Sequence, residues 1–188
     1  MKNWEHGSPE ELVVDPGDLQ SPSAANAGRR SGSVSWKNCR VTLEPTVVTN
    51  SIQVAEVLYG GTADQTVVLT GGVRTPSDAL VGPVAVNALR QLHLDIVFMG
   101  VHGMDVRSGF TTPNLLEADA NRAFVNAARQ LAVVADHTKW GVLGISTIAA
   151  LEDADLLLTD EGMPKDIVRL LADRVSNLVI ASVDESRS

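Results

Sequence analysis

The sequence predicts an α/β domain built on a mostly parallel sheet flanked by helices, and three observations carry that expectation. Short, mostly apolar runs recur from residue 41 onward, helical stretches separate them, and each run ends in small or polar residues. The composition agrees. Of 188 residues 44% are hydrophobic but only 4% aromatic, so Val, Leu, Ile and Ala must fill the core. That mixture suits a parallel sheet covered by helices better than a sandwich rich in Tyr and Trp. A chain of this length is expected to form one domain with a sizeable core.

In order, the predicted strands are Thr46-Val47-Val48, Thr66-Val67-Val68-Leu69, Leu94-Asp95-Ile96-Val97-Phe98-Met99, Leu131-Ala132-Val133-Val134-Ala135, Ala154-Asp155-Leu156-Leu157-Leu158 and Asn177-Leu178-Val179-Ile180. Most are apolar at successive positions, the pattern of strands buried on both faces. Pro83 suits a first helical turn and leads a helix from Val84 to Leu92. Asn114 can cap a helix in which Leu116, Ala120, Phe124, Ala127 and Leu131 recur every three or four residues. Pro164 opens another over Lys165 to Arg174, with Ile167, Leu170 and Leu171 on one face. Strand and helix in alternation imply right-handed crossovers and a Rossmann-like three-layer arrangement.

Residues 1–40 differ in character. The stretch Ser21-Pro22-Ser23-Ala24-Ala25-Asn26-Ala27-Gly28-Arg29-Arg30-Ser31-Gly32-Ser33 is small, polar and aperiodic, and cannot bury enough apolar surface to offset the entropy of ordering it. A disordered N-terminal leader is expected there, with one short apolar patch at Leu12-Val13-Val14. The folded domain is expected over residues 41–188.

Charge and motifs narrow the function. The formal net charge is -8 and the 15 Lys and Arg are scattered, so a free-standing nucleic-acid binder, which needs a basic face, is not expected. The single Cys39 excludes an internal disulfide. No apolar run approaches the roughly 20 residues of a membrane span, and a cytoplasmic protein is expected. His6, His93, His102 and His137 have no metal-site spacing. No Walker loop, GxGxxG or GxSxG motif occurs, so neither a metal nor a cofactor is expected.

The residues just beyond each apolar run are more informative. Thr49-Asn50-Ser51, Thr70-Gly71-Gly72, Gly100-Val101-His102-Gly103, Asp136-His137-Thr138-Lys139 and Thr159-Asp160-Glu161-Gly162 come after five of the strands. In an open parallel sheet such loops emerge together at the carboxyl edge, where ligands bind. Gly-rich turns expose backbone N–H groups that suit a phosphate or carboxylate. Each also has an ordinary explanation. Gly71-Gly72 can be a tight turn, Asp136 and Lys139 a cap and a solvated charge, and Thr49-Asn50 a turn satisfying its own backbone. Glu117 can be a surface carboxylate in a capping box with Asn114. Trp140 fits a lid over the pocket rim or plain packing.

These loops, in this order, resemble the C-terminal effector domain of the DeoR family of transcription regulators. The matching stretches are Val47-Val48-Thr49-Asn50-Ser51, Leu69-Thr70-Gly71-Gly72, Val81-Gly82-Pro83, Asp95-Ile96-Val97-Phe98-Met99-Gly100, Gly109-Phe110-Thr111-Thr112, Glu117-Ala118, Ala135-Asp136-His137-Thr138-Lys139-Trp140-Gly141 and Leu158-Thr159-Asp160. The resemblance implies a fold related to ribose-5-phosphate isomerase and an effector pocket for a phosphorylated sugar. Its lining would be Thr49, Asn50, Gly71, Gly72, Gly100, Glu117, Asp136 and Lys139, with Lys139 facing the anionic group and Glu117 accepting from sugar hydroxyls. It also implies a homo-oligomer and control of carbohydrate genes, with DNA reached only through a helix-turn-helix that is not in this chain. The family's Asp-x-Gly-Thr-Thr-type phosphate loop has no match; Asp15-Pro16-Gly17-Asp18 fits poorly.

Two rival readings stand beside this one. An isomerase needs a base and groups that steady an enediolate. The related isomerases carry an Asp-Gly-Ala-Asp-Glu run where this chain has Met99-Gly100-Val101-His102-Gly103, and a lysine where it has a position near Ser108. Binding without turnover is therefore the expectation. The other rival is a module that only dimerises with a relative.

Overall fold

The apolar runs become strands because they are rich in Val and Ile and are bounded by turn residues. The computed structural model describes residues 46–60 and 66–182; the leader expected over residues 1–40, with its Leu12-Val13-Val14 patch, lies outside them. The elements are β1 (Val47–Thr49), α1 (Ile52–Tyr59), β2 (Val67–Leu69), β3 (Val73–Arg74), β4 (Leu80–Val81), α2 (Pro83–Leu89) and β5 (Leu94–Gly100). Then come β6 (Gly103–Asp105), β7 (Gly109–Thr112), α3 (Leu115–Ala127), β8 (Ala128–Val134), β9 (Ser146–Ala149), β10 (Leu156–Asp160), α4 (Lys165–Ala172) and β11 (Leu178–Ala181).

The main sheet runs β11-β10-β8-β5 and every pair in it is parallel. Its register puts Val97 beside Leu131, Met99 beside Val133, and Val133 beside Leu157. These side chains share one face and form one buried cluster with Leu89 of α2, Phe124 of α3 and Leu171 of α4. Strands added in chain order by right-handed crossovers place their connections on the same face, which is why α3 and α4 meet in this cluster. On the opposite face Ile96 is 40% exposed. β1 and β2 form a separate parallel pair, with Val48 of β1 packed against the main core.

Two antiparallel units go beyond the sequence expectation. β3 and β4 make a hairpin, and β6, β7 and β9 form a three-stranded sheet. Their strands are two to four residues long, too short to display an alternating pattern. α1 is a further addition. The Ser51 hydroxyl caps it by accepting from the Val54 N–H at 3.3 Å.

Several boundaries differ from the expected ones. The helix that Asn114 caps ends at Ala127, and Leu131 belongs to β8 instead, because Ala128 adopts an extended backbone and pairs with Leu94. Strand pairing along the β5 edge thus overrides the helical spacing. α2 ends at Leu89, continued only by turn hydrogen bonds to Leu92. Gly100, Thr159 and Asp160, expected in loops, are the last residues of β5 and β10.

Candidate functional site

The expected pocket residues fall into two groups, one around the β3–β4 hairpin and one at the edge of the main parallel sheet. The first group surrounds the β3–β4 hairpin. Thr49 ends β1, and its hydroxyl accepts from the Ser51 N–H at 3.0 Å while its carbonyl accepts from the Thr70 N–H at 3.1 Å. The Thr49 side chain therefore does satisfy its own turn. Asn50 is buried and clasps Leu80 of β4: its carbonyl accepts from the Leu80 N–H at 2.7 Å, and its Nδ2 donates to the Leu80 carbonyl at 3.3 Å. Gly71 and Gly72 carry the chain from β2 into the hairpin with φ of 72° and 117°. A methyl group on Gly72 would lie 2.4 Å from the Val81 carbonyl oxygen, so that approach requires glycine.

Glu117 joins this group from α3. It is buried, at 6% exposure, rather than a surface carboxylate. Ser77, in the hairpin turn, donates to its Oε1 at 2.6 Å, Thr112 at the end of β7 donates to Oε2 at 3.5 Å, and the Asn114 amide donates to Oε1 at 3.5 Å. Asn114 caps α3 as expected, accepting from the Leu116 and Glu117 N–H groups. Ser77 is a residue that sequence reasoning missed, because its contact with Glu117 spans 40 positions and no local pattern announces it. Next to it, Asp78 sits at φ 61°, a left-handed conformation that Asp tolerates better than most residues. Hydrogen bonds from Gln53, and then from Arg74, hold its carboxyl below the usual range.

The second group gathers at the ends of β5 and β8. Gly100 is in register with Val134, so Asp136 comes close beyond it. The Asp136 carboxylate accepts from the Thr138 N–H at 2.8 Å, and its carbonyl accepts from the Lys139 N–H at 3.1 Å. The turn is thereby wound into a short 3-10 segment, His137–Lys139. Among the described residues the half-buried Lys139 ammonium forms no ion pair. Trp140 bridges to Met104 of β6 and packs against the main core, which is packing rather than a lid.

The β6–β7–β9 sheet connects the groups. The Gly141 N–H donates to Met104 at 2.9 Å, the His102 N–H donates to Thr111 at 3.1 Å, and the Gly144 N–H donates to the Thr111 hydroxyl at 2.9 Å. One residue further on, Thr112 reaches Glu117. The β6–β7 turn is itself tied by Asp105, whose carboxyl is held low chiefly by the Arg107 N–H and next by the Ser108 N–H. The arrangement offers a buried acceptor and, among the described residues, an ammonium outside any ion pair, a pair that suits an anionic, hydroxyl-bearing ligand. A groove of about 720 Å³ between α2 and α3, lined by Arg90, His93 and Arg122 among others, includes none of these residues.

Comparison with known proteins gives a consistent result. The family described as DeoR C terminal sensor domain matches residues 38–161, well over half the chain. The chain is similar to the HTH-type transcriptional regulator GlpR of Haloferax volcanii, 39% identical over 63% of this chain and 46% of that protein. It is similar to the HTH-type transcriptional regulator GolR of Listeria innocua, 33% identical over 68% of this chain and 50% of that protein. It also matches the glycerol-3-phosphate regulon repressor of Haemophilus influenzae, 27% identical over 72% of this chain and 52% of that protein. The chain spans about half the length of these curated relatives.

Proposed function

We propose, because this chain belongs to the DeoR C-terminal sensor-domain family, that it senses a phosphorylated sugar and so takes part in controlling carbohydrate genes. In this reading Thr49, Asn50, Gly71, Gly72, Gly100, Glu117, Asp136 and Lys139 line the effector pocket. Lys139 attracts the phosphate, and Glu117 meets sugar hydroxyls. The observation that carries it is the half-buried Lys139, whose ammonium forms no ion pair among the described residues, at the carboxyl end of a parallel sheet, on a loop connected through the β6–β7–β9 sheet to the buried Glu117 carboxylate. Partial withdrawal from water strengthens charge-assisted hydrogen bonds to an anion.

The reading is one of binding without turnover. Glu117 is held by Ser77, Thr112 and Asn114, and the run Gly100-Val101-His102-Gly103 supplies no second carboxylate for proton transfer. DNA would be reached through a helix-turn-helix such as the names of the relatives describe. A homo-oligomer acting in the cytoplasm completes the proposal. No helix among the described residues is long and apolar enough to cross a membrane.

The test is a thermal-shift panel of hexose 6-phosphates, hexose 1-phosphates, pentose 5-phosphates and glycerol 3-phosphate, each beside its unphosphorylated counterpart. A ligand at a hundred times its Kd stabilises the folded state by about 2.7 kcal/mol. At least one phosphorylated compound should therefore raise the melting temperature while its counterpart does not. No response from the whole panel would sink the reading.

A further inference from the structure

We infer that Asp160, through His137, is the positioning residue of the Asp136–Lys139 loop and sets where Lys139 presents its ammonium. This role rests on the sugar-phosphate reading of that loop. Asp160 is the last residue of β10, one strand over from β8. Its carboxylate accepts from the His137 N–H at 3.3 Å and from the Gly162 N–H at 3.1 Å, and it meets His137 Nδ1 at 2.8 and 3.0 Å through its two oxygens. Backbone and ring of His137 are thus held by one carboxylate, which fixes the direction in which the chain enters the turn.

Further observations point the same way. A methyl group on Gly162 would come within 2.4 Å of His137 Nδ1 and 2.6 Å of Cε1, so the imidazole lies against the Gly162 backbone and an added methyl would push it out of its contact with Asp160. The far end of the turn is tied as well, where the Gly141 N–H donates to the Met104 carbonyl at 2.9 Å. Lys139 therefore sits on a segment clamped at both ends, to β10 by Asp160 and to β6 by Met104. The His137 and Asp160 side chains are 45% and 20% exposed. A polar contact that open to water adds little to stability, so its value lies in geometry. A pocket residue must be held within about 0.5 Å of its productive position by its supporting contacts.

The test compares Asp160→Ala, Gly162→Ala and Asp160→Asn in the full chain, using as probe the panel compound that binds wild type most tightly. Asp160→Ala and Gly162→Ala should each weaken binding about tenfold, while Asp160→Asn, which keeps an oxygen to accept from both N–H groups, should retain most of the affinity. The unliganded melting temperature of Asp160→Ala should stay within about 2 °C of wild type. In a Lys139→Ala background Asp160→Ala should cause no further weakening, because the two act on one interaction. Wild-type affinity in Asp160→Ala, or a full additional loss in the Lys139→Ala background, overturns the assignment. A second measurement needs no ligand. Amide hydrogen exchange over residues 137–141 should speed up in Asp160→Ala and not elsewhere, and unchanged exchange there overturns the assignment too. A panel without any binder would remove the sugar-phosphate reading, and the exchange result would still decide whether Asp160 positions the loop.

Discussion

Replacing Gly72 by alanine tests how closely the β2–β3 turn is pressed against β4. The added methyl would lie 2.4 Å from the Val81 carbonyl oxygen and 3.2 Å from the Val81 carbonyl carbon and amide nitrogen. Ordinary contact begins near 3.4 Å, so the hairpin must retreat by about 1 Å. That retreat would strain the Val73–Val81 and Arg74–Leu80 pairs and the two bonds from Asn50 to Leu80. The φ of 117° adds backbone strain of about 1–3 kcal/mol. With overpacking of about 1–3 kcal/mol, the expected loss is roughly 2–6 kcal/mol. Gly82→Ala is the control. It shares a positive φ, 90°, but a methyl there meets nothing within 4 Å, leaving only backbone strain of about 1–3 kcal/mol. The difference, the overpacking of about 2 kcal/mol, corresponds to roughly 4–8 °C for a domain of this size. Thermal unfolding measured by circular dichroism compares both variants. If they melt within 2 °C of each other, the close approach at Val81 is not there and the reasoning fails.

Glu117→Ala should lower stability by about 2–3 kcal/mol, since Ser77, Thr112 and Asn114 lose a charged acceptor, whereas Glu117→Gln should cost about 1 kcal/mol; urea titration of the unliganded protein separates them. Asp78 and Asp105 have carboxyls held below their ordinary value, so each contributes stability that is present above about pH 4. That contribution is lost as pH falls through the depressed folded-state value. Asp78→Asn, which keeps tolerance of the left-handed backbone, should lose less stability than wild type between pH 5 and pH 3 in urea titrations at each pH; parallel losses contradict this. Lys139→Ala should reduce, without removing, the melting-temperature response to phosphorylated sugars and have little effect on the unliganded protein; an undiminished response would remove Lys139 from the pocket.

The parallel sheet was legible because its strands read as apolar runs, as in Leu94–Gly100 and Leu156–Asp160, although the face carrying Ile96 and Phe98 is left partly exposed rather than buried. The helix at Leu115–Ala127 was legible through its Asn114 cap; Leu131 fitted both the four-residue helical spacing from Ala127 and the strand Leu131-Ala132-Val133-Val134-Ala135, and the strand reading is the one that holds. The short antiparallel strands gave no periodic signal, and with them the hairpin that carries Ser77 to Glu117 stayed hidden. Local patterns also misjudged Glu117: helical spacing suggested a surface carboxylate, and only the packing of β7 and the hairpin turn buries it. The Asp160–His137 pair was invisible for a similar reason, since 23 residues separate its partners.

The most direct test is a titration of the 15N-labelled chain with the panel compound giving the largest thermal shift, monitored through backbone amide resonances. Amides of Asn50 and Gly72 in one group, and of Asp136 and Lys139 in the other, should shift together along one binding curve with one Kd. Shifts confined to one group, or scattered over the α2–α3 groove instead, would contradict a single anion-gripping crevice at the carboxyl edge of the sheet.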